Sequence, residues 1–146
     1  MGRLSLHPLA AASEMGDLAA TLAEDGLPHD DLSDPGRQFY AIRRADRRLG
    51  YIGVEGHGSD RLLRSFVIHA DHRSGGLGSK ALAMLENLAR DEGTKHLHLL
   101  TTTAAPFFRR NGYQAASRED APAAIGNSRE FTTLCPASAD YLVKTL

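Results

Sequence analysis

The chain of 146 residues contains a single cysteine, Cys135. It cannot close an intramolecular disulfide, so the thiol content does not ask for an oxidising compartment, and one thiolate cannot chelate a soft metal or metalloid. Long apolar runs are missing as well. The opening stretch MGRLSLHPLAAASEMGDLAA has acids and Pro8 where a secretory leader carries its apolar segment, and no later run approaches membrane-spanning length. A cytoplasmic chain with no membrane contact is expected.

Charge of one sign is also scarce. The formal net charge is −1 with both signs interspersed, which leaves no basic stripe of the kind that displaces counterions from a nucleic-acid backbone. No nucleic acid is expected as a partner, and any anion site must be local, pointing to a small phosphorylated ligand. There is no repeat period or low-complexity tract, and the longest flexible-looking stretch, EDGLPHDDLSDPG, is too short to separate two domains. One domain over residues 1–146 is expected, long enough to bury a core unaided.

What is present reads as an alternation of short elements. RLSLHP is an opening strand stopped by Pro8, and the Leu18 and Leu22 spacing predicts a helix from Ala10 to Ala23 with Ser13 as its N-cap. After the turn at Asp34-Pro35-Gly36, RQFYAIRRADRRLGYIGVEGHG alternates about a polar turn as an antiparallel hairpin does. RLLRSFVIHA is the next strand, beyond a turn at Gly58-Ser59-Asp60. A helix is predicted from Ser79 to Glu92, with Ala81, Leu82, Leu85, Leu88 and Ala89 on one face, Lys80, Glu86, Asn87 and Arg90 elsewhere, and Gly93 as its stop. TKHLHLLTTT follows as a strand, so residues 61–102 form a right-handed βαβ crossover with parallel strands. A short helix in APFFRRNG, a Pro-, Ala- and Ser-punctuated stretch, and a closing strand in ADYLVKTL complete the chain. The fold class is α/β: a mixed, mostly antiparallel central sheet with helices on both faces and one parallel crossover.

Gly75, Gly76 and Gly78 stand directly before the strongest helix signal, although glycine is poorly tolerated inside a helix. A loop without side chains at a helix N-terminus exposes backbone N–H groups to anions, phosphates above all. Three phosphate-cradling patterns compete for it. The Walker pattern fails, because Lys80 follows Ser79 and precedes Ala81. The dinucleotide fingerprint is met to the letter by Gly76-x-Gly78-x-x-Ala81, but the loop lies mid-chain after antiparallel strands, and the acid expected about twenty residues on is replaced by HLHLLTTT. The third pattern is Arg73-Ser74-Gly75-Gly76-Leu77-Gly78.

Here the sequence resembles the GNAT superfamily of acyl-CoA-dependent N-acetyltransferases, whose signature L-x-V-x-P-x-x-R-x-x-G-x-G is echoed by FVIHADHRSGGLG. Downstream, TTTAAPFFRRNGY is similar to the family segment N-x-x-A-x-x-F-Y-x-x-x-G-F, in the right order and at the right spacing. The C-terminal SREFTTLCPASADYLVKTL further resembles a GNAT branch named for arsenic-resistance gene clusters, a label of gene neighbourhood that identifies no substrate.

The resemblance implies a GNAT fold, acetyl-CoA as cosubstrate and no metal. Coenzyme A carries a pyrophosphate, to which N–H groups from Ser74 to Ser79 can donate, with Arg73 adding charge or bracing the loop from behind; side chains larger than Gly75, Gly76 and Gly78 would hold the phosphates away. Further implied roles are pairing of the Phe66, Val67 and Ile68 backbone with the pantetheine amides, and lining of the coenzyme's other side by Phe107, Phe108 and Arg109. The plain alternative is a tight helix entry that binds nothing.

Two departures from the family pattern stand out. Phe108 occupies the place of the tyrosine that in many members protonates the leaving thiolate, and Thr101 that of the asparagine. Another hydroxyl or a water would then serve, or the thiolate leaves unaided. As base, Glu55 on the third strand is the candidate, against a solvated strand glutamate. Arg64, between Leu62 and Phe66 on one strand face, either holds a substrate carboxylate or pairs with Glu55. Ser128, Arg129 and Phe131 shape the acceptor pocket if the resemblance holds there, or belong to a surface loop. His69-x-x-His72 and His96-x-His98 lack the cysteine or carboxylate cluster that a metal site would add.

The expectation is acetyl transfer to the amine of a small molecule by direct attack in a ternary complex, the acceptor being an amino-acid-like toxin in a detoxification setting. The competing expectation is a non-catalytic acyl-CoA-binding sensor or partner subunit, and a homodimer is left open.

Overall fold

The computed structural model describes residues 3–69, 76–135 and 138–146. Strand β1 (Leu4–Pro8) leads into helix α1 (Ala12–Glu24), and β2 (Arg37–Arg44), β3 (Arg47–Glu55) and β4 (Asp60–Ile68) follow in succession. Helix α2 (Leu77–Asp91) crosses to β5 (His96–Thr101), after which come α3 (Ala105–Arg110), β6 (Gln114–Ala115), α4 (Ala123–Gly126) and β7 (Asp140–Thr145). The strands form one seven-stranded sheet in the order β1-β2-β3-β4-β5-β7-β6. Every neighbouring pair is antiparallel except β4 and β5, which are joined through α2 as the βαβ reading anticipated.

Helices cover both faces. Leu77, Ala81, Leu82, Leu85 and Ala89 of α2, with Ala105 and Phe108 of α3, pack on Tyr40, Ile42, Ile52, Val54, Leu63, Leu97 and Leu99. On the opposite face Leu18 and Leu22 of α1 cover Phe39, Ala41, Tyr51 and Val67, and Ile125 of α4 packs with Leu62 and Tyr141.

Several local expectations are corrected. Ser13 is not the cap of α1: the helix starts at Ala12, and the Glu14 side chain reaches back to accept from the Ala11 N–H at 3.1 Å, so the acid in the first turn does the capping. Helix α2 begins at Leu77 rather than Ser79, because Gly76 at φ 75° already makes the turn into it and Gly78 falls inside the first turn. On α2, Leu88 is exposed while Glu86 is buried. Glu86 accepts hydrogen bonds from the Tyr113 hydroxyl and from Lys144 Nζ, both at 2.9 Å, and these partners give a carboxylate its place inside. The punctuated stretch before β7 also holds more structure than expected: β6, a 3₁₀ turn at Arg118–Asp120, α4, and a π-helical turn at Glu130–Leu134.

The largest departure lies in β4. Regular alternation would put Leu62, Arg64 and Phe66 on one face. In the structure Gly53 pairs with Arg64 but Tyr51 pairs with Val67, so β4 holds one extra residue, and Ser65 sits there at φ 56°. A bulge of this kind reverses the facing of everything beyond it. Leu62 and Arg64 stay on the α4 side, whereas Phe66 and Ile68 join Leu63 on the α2 side and Val67 turns under α1.

Candidate active site

Strands β4 and β5 pair only at Asp60, Arg61 and Leu62 with His96, Leu97 and His98. Beyond that point they part, and the gap becomes a cleft of about 800 Å³ walled by Leu63–Ile68 on one side and Leu99–Thr101 on the other. An edge of β4 that has lost its neighbour offers backbone groups to an extended ligand as a further strand would. The bulge at Ser65 lies at the start of this free stretch, and the first turn of α2 stands at the mouth, where Gly76, Gly78 and Ser79 line the cleft. Lys80 donates back to the Gly76 carbonyl at 3.2 Å, and the N–H groups of a helix's first turn are those that lack partners inside the helix.

The glycines differ in what they permit. At Gly76 a Cβ would meet open space, and the requirement there is the positive φ. At Gly78 a Cβ would come within 3.3 Å of the Phe107 ring, so a side chain would crowd the aromatic wall. That wall is continuous: Phe66 lies 6.0 Å from Phe107 and 6.2 Å from Phe108, and Phe108 stands edge-on to Tyr113 at 5.5 Å. The Tyr113 hydroxyl is buried and donates to Glu86. Thr101 Oγ1 accepts from the Ala104 N–H at 3.0 Å, at the entry to α3.

Of the residues singled out in the sequence, Phe66, Val67, Ile68, Gly76, Gly78, Ser79, Phe107, Phe108 and Arg64 all line this one cleft. Arg109 does not; its neighbour Arg110 does. Arg73, Ser74 and Gly75, and His72 of the histidine pair, lie outside the described residues. Ser128 is buried, with its hydroxyl accepting from the Phe131 N–H at 3.3 Å, and Phe131 packs edge-on to Tyr141 at 5.0 Å. Arg129 is on the surface, paired with Asp34 at 2.7 Å. None of the three is among the residues lining the cleft. The histidine ring of His98 is also committed, to the Tyr141 hydroxyl at 2.7 Å and to Asp60 at 2.8 Å.

Arg64 is the centre of a charge cluster. Its Nη1 and Nη2 each donate to an Asp31 oxygen at 2.5 Å, Nη1 also reaches Glu55 at 2.9 Å, and Nε lies 3.3 Å from Glu130. Arg37 adds a second guanidinium, 2.8 Å from Asp31 and 3.6 Å from Glu55. Glu55 is thus held by two arginines and is not among the residues lining the cleft. Glu130 and Cys135, which sequence reasoning passed over as candidates, do line it.

The carboxyls respond differently. Burial would raise Asp31, but hydrogen bonds and charge from Arg64 and Arg37 outweigh it and hold the group at about 2. Burial dominates at Glu130 and, reinforced by Glu55 and Asp31 against the pull of Arg64, pushes it up to about 7. Burial and then the Glu130 charge push the Cys135 thiol up to about 12, so it stays protonated. Arg64 itself stays charged, the penalty of burial being overcome by Asp31, Glu130 and Glu55.

The model of the acetyltransferase (GNAT) domain family matches residues 35–115. Among curated proteins, the amino-acid acetyltransferase of Ectopseudomonas mendocina is 42% identical over 62 residues, a stretch covering 42% of this chain and 14% of that protein. That of Pseudomonas paraeruginosa is 40% identical over 69 residues, covering 47% of this chain and 16% of the relative. The matches therefore span well under two thirds of those proteins. Among solved structures, N-acetylglutamate synthase from Neisseria gonorrhoeae, complexed with coenzyme A and N-acetyl-glutamate, superposes with a TM-score of 0.79 at 18% identity, over 100% of this chain and 36% of that one. An acetyltransferase of the GNAT family from Staphylococcus aureus gives 0.74 at 15% identity over 99% of each chain. At such identities the likeness is one of fold. Among the described residues no helix is long and apolar enough to cross a membrane, and no group of three or more His, Cys, Asp or Glu side chains is placed to hold a metal ion.

Proposed function

Because the chain belongs to the acetyltransferase (GNAT) domain family, we propose that it transfers an acetyl group from acetyl-CoA to the amine of a small, amino-acid-like molecule. The observation that carries this reading is the parting of β4 from β5 beyond Leu62 and His98, with the N-terminus of α2 at the mouth of the resulting cleft. Bound there, acetyl-CoA supplies an activated thioester.

The chain's own groups fit that molecule. N–H groups of Leu77, Gly78 and Ser79, at the positive end of α2, are suited to pyrophosphate oxygens. The β4 backbone from Phe66 to Ile68 offers amide-pairing groups along the free edge, and Phe66, Phe107 and Phe108 pack about a small acyl group and keep water from it. The loop between α1 and β2, with His29 and Asp30 on the cleft wall, and Glu130 beyond Arg64 bound the end where the acceptor would enter. The amino-acid acetyltransferases among the relatives support an amino-acid-like acceptor. They offer no support for an arsenic-resistance setting, which is not carried further.

A second reading, a non-catalytic acyl-CoA-binding sensor or partner subunit, is favoured by one observation: Phe108, on the cleft wall, has no proton to give. One experiment separates them. Acetyl-CoA and CoA, but not NADH, should raise the melting temperature by mass action, and thiol release should then appear with one or more of the twenty L-amino acids. Stabilisation without turnover on any amine would favour the sensor; stabilisation by NADH alone would sink both.

A further inference from the structure

Glu130 is the cleft residue whose chemistry has so far been left unused. The π-helical turn at Glu130–Leu134 holds its carboxylate 3.3 Å from Nε of Arg64, and Cys135 Sγ approaches Oε1 at 3.8 Å. Its side chain is only 5% exposed, yet it forms part of the cleft wall beside Arg64, Ser65 and Cys135. Isolated π turns are uncommon and tend to mark functional positions.

The charges around it are uneven. The guanidiniums of Arg37 and Arg64 face three buried carboxylates, Asp31, Glu55 and Glu130, while Asp34, 3.8 Å from Arg37, is partly exposed and balanced by Arg129. Asp31 accepts from both Nη groups of Arg64 and from Nε and Nη2 of Arg37, and Glu55 is shared between the same two arginines. Those four groups sum to zero, so an ionised Glu130 leaves a buried cluster with net negative charge, which is costly. The cluster is neutral when Glu130 holds a proton. Of the three carboxylates it is also the one on the cleft wall and the one with the longest contact to Arg64.

We infer that Glu130 is the proton acceptor for the incoming amine, a role for which Glu55 is badly placed. The inference rests on the acetyl transfer proposed above. The Glu130 carboxylate takes one proton from the acceptor's ammonium. The freed nitrogen lone pair forms the C–N bond at the thioester carbonyl and the C–S bond breaks. Its electron pair leaves on the coenzyme sulfur, which takes the surplus proton from the new amide nitrogen, while Glu130 returns its own proton to water. The groups facing Glu130 agree with this duty: Arg64 from β4 favours the carboxylate, whereas burial, Glu55 from β3 and Asp31 from the loop before β2 favour the acid, with the Cys135 thiol alongside. Arg37 acts on it through Asp31 and Glu55. A base that titrates near the working pH is the efficient kind.

The test compares wild type with Glu130→Gln by thiol release from acetyl-CoA, using L-glutamate or, if another of the twenty L-amino acids reacts faster, that one. At pH 7 the variant should lose about 10²–10⁴-fold in kcat/KM with the KM for acetyl-CoA unchanged. The deficit should shrink about tenfold per pH unit as the amine begins to lose its own proton in solution. A deficit constant across pH would mean a merely structural role and would overturn the inference. Carbon NMR on protein labelled at the glutamate carboxyls supplies the second readout, the Glu130 signal being the one missing from the variant. Titration in the ordinary glutamate range overturns Glu130 even if the protein acetylates amines. Titration near 7 with no thiol release from any L-amino acid overturns acetyl transfer instead, and leaves Glu130 as a proton-holding group.

Discussion

Arg64 and Asp31 meet through two hydrogen bonds of 2.5 Å each, with neither side chain exposed to solvent. A fork-to-fork pair this deep in the sheet ties the loop before β2 to the middle of β4, and Arg37 holds the same carboxylate from a second strand. Replacing Asp31 by Asn leaves two buried guanidiniums with one partner fewer and should cost about 3–5 kcal/mol in urea unfolding at pH 7. Asp31 is held at about 2 against an ordinary 3.8. Its stabilising share is therefore complete above pH 3.8 and lost as the pH falls towards 2, and it amounts to about 2 kcal/mol. That acid-side loss should be absent from the variant.

Glu130 gives the opposite sign. Its carboxyl stands at about 7 in the folded protein against an ordinary 4.5, so between those values the folded chain binds more protons than the unfolded one. Stability then falls as the pH rises through that window, by an amount on the order of 3 kcal/mol. Glu130→Gln should flatten the profile from pH 4.5 to 7 and be more stable than wild type at pH 8, as read by urea midpoints at each pH. A wild-type profile without this decline would show that the surplus charge is relieved in some other way.

How far the sequence carried the reading depended on range. Residues 61–102 announced strand, glycine turn, helix and strand, because period and punctuation are local signals. Glycines before a helix, followed by the Phe107-Phe108 segment, were enough to bring nine expected residues to one cleft. Side-chain partners from distant segments were not visible. Leu88 keeps the spacing of its apolar neighbours, yet lies at the edge of the covered face, while Glu86 is drawn inside by Tyr113 and Lys144. Glu130 joins Asp31, Glu55 and Arg64 only through tertiary structure. The bulge at Ser65 is hidden for a different reason: no glycine or proline marks it, so plain alternation put Phe66 on the wrong face.

Two glycines allow the anion site to be tested apart from stability. Gly76 has φ 75° with nothing near its absent Cβ, and asparagine is the side chain that best accepts that conformation. Gly76→Asn and Gly76→Trp should each lose about 1 kcal/mol or somewhat more to backbone strain. Only the tryptophan, projecting into the cleft mouth, should weaken acetyl-CoA binding by calorimetry, and by more than tenfold. Gly78→Val should weaken it as well, since its side chain would press on the Phe107 ring that a Cβ alone approaches to 3.3 Å. Unchanged affinity in both the tryptophan and the valine variant would remove the first turn of α2 from the site.

Ser65 is where local strain and the shape of the cleft coincide. A non-glycine residue at φ 56° costs about 1–2 kcal/mol, and what the strain secures is the reversal that sends Phe66 towards Phe107 and leaves Arg64 on the other face. Ser65→Gly removes the strain but also the hydroxyl that accepts from Arg64 Nε at 3.2 Å. Those effects oppose each other, so stability should stay within about 1 kcal/mol of wild type, and acetyl-CoA should bind as before. Ser65→Val cannot rest in the left-handed region, since a branched Cβ collides with the backbone there. The strand would be driven towards regular pairing, which would carry Phe66 out of the aromatic wall and close the free edge of β4. Calorimetry should then show acetyl-CoA affinity reduced more than tenfold in the valine variant and kept in the glycine variant. Equal affinity in the two would mean that the splay of β4 from β5 is held open by the rest of the sheet and owes nothing to the bulge.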